Sequence, residues 1–382
     1  MARFWHLLFF VSAIVGLFAS MGGCALRPPV HRAVRPPVLH ALVHTPAVTL
    51  YPRLGSPRAS GVKPRGPGLL LMGGGTTVDS SFLWMHDVIA GSRAGNGGDI
   101  TVLRASGTEA YDDYLIKLAH FNSVRTIKIE RNATAPDLAR VAAEVDKAQG
   151  VFFAGGDQAN YARWKDTSLS AAVQRVYDRG GVIGGTSAGL AILGEYVYDS
   201  VAADAASPTD TVEVTTKNAI PNPSESIISF THDLLVFAPL RRVITDTHFV
   251  TRNRFGRLAV YLARLQAADP ARRQLMGVGV DEATAIVIDK HGIGTLKLQG
   301  KGGSALFVQV SKATRVVPGK PFVANGIKMT LLNRDGQTYD FNRWCANGAP
   351  TYTVNIDGNR KPIYQPPNPY KAPAGAVMQR CP

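Results

Sequence analysis

The stretch Gly181-Val182-Ile183-Gly184-Gly185-Thr186-Ser187-Ala188-Gly189, running on into Leu190 to Leu193, decides how the chain is read. A short apolar run enters a glycine-rich turn holding one serine, and an apolar helical segment leaves it. This is G-x-S-x-G in the strand–turn–helix context the motif requires. A serine on so sharp a turn stands exposed, and the flanking glycines relieve the crowding its backbone creates. The N–H of Ala188 is then placed to bind the oxyanion of an acyl-transfer intermediate. The start of the helix adds a favourable dipole there. Ser187 is therefore expected to be a nucleophile rather than an incidental turn residue.

Working outward, Pro67-Gly68-Leu69-Leu70-Leu71-Met72 is a buried-strand pattern ending in Gly73-Gly74-Gly75. That glycine run fits neither G-x-G-x-x-G nor a P-loop, which argues against a nucleotide site. Strands are expected at 99–104, 126–129, 150–154 and 181–184, alternating with helices at 82–90, 111–121, 135–148 and 170–179. This alternation predicts an α/β fold, with a mostly parallel sheet covered by helices on both faces. Ligand sites in such sheets lie beyond the carboxyl ends of the strands. Both Gly155-Gly156-Asp157-Gln158 and the serine turn fall there. Backbone amides at Gly156 and Ala188 are the expected oxyanion donors, and Gln158 the expected hydrogen-bonding partner of substrate.

From about residue 291 short β-prone segments alternate with Gly and Asn or Asp, which suggests a small β-rich extension over 291–382. The organisation expected is thus a signal at 1–23, a Pro-rich tether at 24–66, a catalytic domain at 67–290 and that extension. The signal reading rests on the basic start Met1 to Arg3, the apolar run Phe4 to Ser20, and small residues leading to Cys24. Met-Gly-Gly-Cys is similar to a bacterial lipobox, in which the cysteine is acylated and holds the protein on a membrane surface. The expected location is therefore outside the cytoplasm, as a periplasmic or cell-surface lipoprotein, with plain secretion as the alternative. The remaining cysteines, Cys345 and Cys381, suggest a disulfide pinning the C-terminal tail.

The 382 residues carry a formal net charge of +14, with a sequence pI near 9.8. Such a balance attracts acidic substrates or anionic surfaces and equally serves solubility. Neither an aromatic-interleaved basic stretch nor a nucleic-acid motif is present, so nucleic-acid binding is not expected. No Cys/His cluster supports a metal site, and no cofactor is expected. A homodimer is left open.

A serine hydroxyl needs a base. His248 follows the β-prone Val243 and Ile244 in Asp246-Thr247-His248-Phe249, ahead of an arginine-rich turn; His232 is the rival. His86 and His120 fall on expected helices and read as structural. The carboxylate that orients the imidazole is expected to be Glu282, where Gly277-Val278-Gly279-Val280 runs into Asp281-Glu282. Asp281, Glu195 and Asp199 are the alternatives.

Four motifs, G-G-D-Q, G-T-S-A-G, D-x-H-F-x-x-R-x-R-x-G-R-L and G-V-G-V-D-E-x-T-A, occur in that order and resemble the cyanophycinases of peptidase family S51. The resemblance covers residues 67–290. It implies a three-layer α/β/α sandwich related to class I glutamine amidotransferases, with Ser187, His248 and Glu282 as nucleophile, base and acid. It further implies substrate contacts from Gln158, Asp246, Arg252, Arg254 and Arg257, the arginines suiting planar carboxylates and Asp246 a guanidinium. Cyanophycinases cleave a poly-aspartate backbone bearing arginine, releasing β-Asp-Arg dipeptides. They often carry Gln where this chain has Thr247. The expectation is a serine exopeptidase of that kind. The alternatives are a peptidase of other aspartyl or isoaspartyl peptides and a non-catalytic polymer-binding lipoprotein.

Overall fold

Five strands, Gly68–Met72, Asp99–Arg104, Ser123–Ile129, Gly150–Phe153 and Val182–Thr186, form the parallel centre of a ten-stranded sheet. They stand in the order 123–129, 99–104, 150–153, 182–186, 68–72. The computed structural model that shows them describes residues 46–207, 213–269, 271 and 273–382. The expected signal, Cys24 and the tether up to residue 45 lie outside the described residues.

Gly68–Met72, Gly150–Phe153 and Val182–Thr186 are buried throughout, which is why their sequences hold no charged residue, whereas Ser123–Ile129 keeps Arg125 and Lys128 partly exposed. Helices Asp79–Ala90 and Asp112–Ala119 cover one face through Phe82, Met85, Ile89 and Leu115. Helices Ala135–Val145 and Ser168–Asp178 cover the other through Leu138, Val141, Leu169 and Val173. The second pair starts at capping boxes, Thr134 with Asp137 and Thr167 with Ser170, each tying up two otherwise unpaired amide donors. The expected helix–sheet–helix sandwich is present.

A second, nine-stranded sheet stands beside it. Tyr196–Tyr198, Val243–Asp246 and Met276–Val280 are its parallel members. Helix Phe255–Ala268 packs on one face through Leu258, Leu262 and Leu265. The opposite face, with Val243, Val278 and Phe307, joins the core beneath helices 135–145 and 168–178.

The β-rich region expected beyond residue 290 is present, and its strands are built into both sheets. Ile293–Leu298 and Thr338–Asp340 lengthen the first sheet, while Ala305–Gln309, Val323–Leu332 and Pro350–Asp357 build the second outward from Met276–Val280. Ala305–Gln309 covers an edge of Met276–Val280 that would otherwise present unpaired amides. Of the tether expected over 24–66, residues 48–50 and 54–55 are strands of the body. Val48–Leu50 and Leu54–Gly55 pair antiparallel with Ser123–Ile129, so residues 46 onward belong to the body. At the other end Cys345 and Cys381 are joined, with Cα atoms 5.4 Å apart.

Candidate active site

The strand order 182–186, 68–72, 284–288 fixes three turns side by side. Val182–Thr186 delivers Ser187, Gly68–Met72 delivers Gly73 to Gly75, and the antiparallel Thr284–Ile288 begins just after Glu282. Glu282 lies where the chain leaves Met276–Val280 of the second sheet and enters the first. His248 comes from the second sheet, two residues beyond Val243–Asp246. Thr245 Oγ donates to the carbonyl of Leu190 at 2.9 Å, tying the base's strand to the helix that follows the serine.

The side chains meet. Ser187 Oγ lies 2.8 Å from His248 Nε2, and His248 Nδ1 lies 2.6 Å from Glu282 Oε1. Ser187 has φ 53° and ψ −122°, and His248 has φ 45°. Non-glycine residues in such regions carry a cost of about 1–3 kcal/mol each, borne by the surrounding structure. Here part of the support is the N–H of Ser187, which donates to Met72 O at 3.1 Å. The motif's closing glycine is required by contact: a Cβ on Gly189 would sit 2.2 Å from Phe153 O.

Gly73-Gly74-Gly75, which sequence reasoning set aside, is the hub of this arrangement. Gly73 O accepts from His248 N at 2.9 Å, and Gly74 O accepts from Ala283 N at 3.1 Å. A Cβ on Gly74, whose φ is +118°, would lie 2.3 Å from His248 Cε1. One on Gly75 would lie 2.9 Å from Glu282 Oε2. The run is thus a floor that lets imidazole and carboxylate lie against bare backbone. Its signal in the sequence was three glycines at a strand end with no phosphate motif to explain them.

His248 is 5 % exposed. Burial lowers its pKa below the ordinary value, the Glu282 hydrogen bond opposes this, and the Arg252 and Arg254 charges add to the lowering. The imidazole is accordingly neutral near pH 7, as a general base must be. The other acids have different roles. Asp281 Oδ1 accepts from Val250 N at 3.0 Å, Thr251 N at 2.9 Å and Thr251 Oγ at 2.9 Å, which fixes the turn after His248. Glu195 accepts from Arg242 N, and Asp199 from Ser229 and Thr231. His232 packs edge-on against Tyr196, and His86 is buried against Phe121. His120 ends helix Asp112–Ala119 in a left-handed conformation.

A cleft opens in front of Ser187, lined among others by Gly156, Gln158, Ala188, Tyr198 and Arg252. Among the described residues, the N–H groups of Gly156 and Ala188 donate to no backbone carbonyl. Gln158 reaches the carbonyl of Tyr198 at 3.4 Å.

The residues of the arginine motif divide by burial. Asp246 and Arg257 face each other, with Nε to Oδ2 at 2.9 Å and Nη2 to Oδ1 at 2.5 Å, and each is 3 % exposed. Asp246 is therefore an internal partner that fixes Arg257, where the resemblance implied a ligand for a guanidinium. Buried charges demand such pairing. Arg254 donates to Thr247 O at 2.9 Å and Oγ at 2.8 Å and also pairs with Glu213. The Arg252 side chain is 46 % exposed at the cleft. Sequence reasoning missed Glu213 and Tyr198, both of which line the cleft from segments without a motif. It also missed Tyr370. The hydroxyl of Tyr370, from the C-terminal tail, bonds Asn253 Oδ1 at 2.7 Å and accepts from Phe255 N at 3.0 Å.

A strained serine, a neutral buried imidazole and a carboxylate in one chain of hydrogen bonds constitute the geometry of the serine hydrolases. Residues 69–222 match the family model of peptidase family S51. It is 28 % identical over 204 residues to a cyanophycinase of Synechococcus elongatus, a match taking in 52 % of this chain and 54 % of that one. It is 30 % identical over 203 residues to a cyanophycinase of Trichormus variabilis, taking in 51 % and 58 %. The matched region thus spans little more than half the length of these relatives. Among solved structures, a peptidase from an acI-B1 Actinobacterium aligns over 73 % of this chain and 98 % of its own, with 14 % identity and a TM-score of 0.45.

Proposed function

We propose that the protein is a serine-type exopeptidase that hydrolyses an aspartyl polymer of the cyanophycin kind to β-Asp-Arg dipeptides. The observation that carries this reading is the unbroken sequence of contacts Ser187–His248–Glu282 at the mouth of an arginine-bearing cleft. The cyanophycinase relatives support the substrate class.

In the first half-reaction Ser187 Oγ bonds to the carbonyl carbon of the scissile amide while His248 Nε2 takes its proton. Glu282 holds Nδ1–H and stabilises the imidazolium that forms. The carbonyl oxygen, now an anion, is received by the N–H groups of Gly156 and Ala188. The C–N bond then breaks as His248 passes its proton to the leaving amine, leaving an acyl-serine. Water, deprotonated by His248, attacks that ester and restores the free serine.

The test is incubation of the purified protein with insoluble cyanophycin and mass detection of released dipeptide. Ser187→Ala should abolish release, a loss of 10³-fold or more. Release persisting in that variant would refute the mechanism. Cleavage of short isoaspartyl peptides without attack on the polymer would move the substrate to the alternative class.

A further inference from the structure

The three arginines of the motif converge on one carboxylate of the protein itself. Glu213 Oε1 bonds Arg254 Nη2 and lies 3.4 Å from Arg257 Nη1, while Oε2 lies 3.7 Å from Arg252 Nη1. Burial acts to raise the pKa of this carboxyl, but the guanidinium groups outweigh it and hold it below the ordinary value. Two carboxylates therefore serve the cluster, and they differ in one respect. The side chain of Asp246 is 4 % exposed and is locked bidentately on Arg257. That of Glu213 is 39 % exposed and stands at the wall of the cleft that also holds Ser187.

The side chains of Arg254 and Arg257 are 7 % and 3 % exposed. Guanidinium groups so buried are costly to leave without a counter-charge, so the position opposite them calls for a carboxylate at all times. Asp246 cannot leave without stranding its charge inside the protein. Glu213 can, because solvent already reaches it. We propose that Glu213 is a specificity-determining residue of the cleft. Its carboxylate occupies, in the free protein, the place on Arg252, Arg254 and Arg257 that a substrate carboxylate takes, so acidic substrates bind by exchanging one carboxylate for another.

The inference rests on the peptidase reading for its substrate and on the arginine–glutamate geometry for its chemistry. An acid presented to the cleft must displace an internal competitor, which lowers its apparent affinity, and neutral side chains meet a cluster already satisfied. The residue thereby sets both how tightly and how selectively carboxylates bind.

Succinate, a dicarboxylate with no scissile bond, is the direct probe, titrated calorimetrically into the wild-type protein and into Glu213→Gln. Removal of the competing charge should tighten succinate binding about tenfold, on the scale of coupling between close charge pairs, with no gain for succinamide. Unchanged or weaker succinate binding by a folded Glu213→Gln would overturn the proposal. Glu213→Ala, checked for folding by circular dichroism, serves as a second variant with the same expectation. On an aspartyl peptide the variant should lower KM with kcat nearly unchanged; a fall in kcat at constant KM would also overturn it. Tighter succinate binding without hydrolysis of any aspartyl peptide would sink the peptidase reading and leave the carboxylate exchange standing. Hydrolysis without any gain in Glu213→Gln would do the reverse.

Discussion

Replacing Gly74 with alanine would test whether the glycine turn is the floor of the site. The added Cβ would lie 2.3 Å from His248 Cε1 and 2.5 Å from Nε2, against roughly 3.4–4 Å for ordinary contact. The ring must therefore move by about 1 Å, because Gly74 is held through its carbonyl to Ala283 N. That displacement breaks the alignment of the 2.8 Å and 2.6 Å bonds made by His248. A misplacement of about 1 Å in a reacting constellation costs on the order of 10²-fold in rate. A second cost falls on stability, since alanine at φ +118° carries about 1–3 kcal/mol of backbone strain. The assay is the rate of fluorophosphonate labelling of Ser187, read beside the thermal midpoint. Gly326→Ala is the control: its φ of +66° strains alanine, but nothing lies within 4 Å of the new Cβ. It should lose stability and label at the wild-type rate, whereas Gly74→Ala should label about 10²-fold more slowly. Labelling of folded Gly74→Ala at the wild-type rate would refute the reasoning.

Two further substitutions probe charge and chain connectivity. His248 acts unprotonated, so activity is lost as pH falls through its pKa, which burial depresses and the Arg252 charge depresses further. Arg252→Gln should therefore move the acid limb of the kcat/KM profile to higher pH, and a limb that stays or moves down would contradict the assignment. Cys345→Ser opens a loop closed across 36 residues of sequence, which the chain-entropy model values at about 4 kcal/mol. Its midpoint in denaturant should fall without a change in labelling rate at low denaturant.

The parallel half of the fold was legible because its strands are short, apolar and punctuated by glycine. The strand at 99–104 falls where expected, and the helices at 82–90 and 170–179 differ from the observed ones by no more than three residues at either end. The second sheet was not legible. Its strands come from both sides of residue 290, and nothing local tells Ile293–Leu298 to join one sheet and Ala305–Gln309 the other. Helix Phe255–Ala268 was not expected, although Leu258, Leu262 and Leu265 keep helical spacing. In the site, Ser187, His248 and Glu282 were named from motifs and lie in contact. Gly74 was given no role and Glu213 was not named, because their importance lies in what stands opposite them in space.

The order in which the three reacting groups occur along the chain has a consequence for synthesis. The family-matching segment, residues 69–222, holds the hydroxyl but neither the imidazole at 248 nor the carboxylate at 282. A growing polypeptide therefore carries an inert alcohol until residue 282 has been made, with about a quarter of the chain still to come. The outer strands that complete both sheets arrive later still.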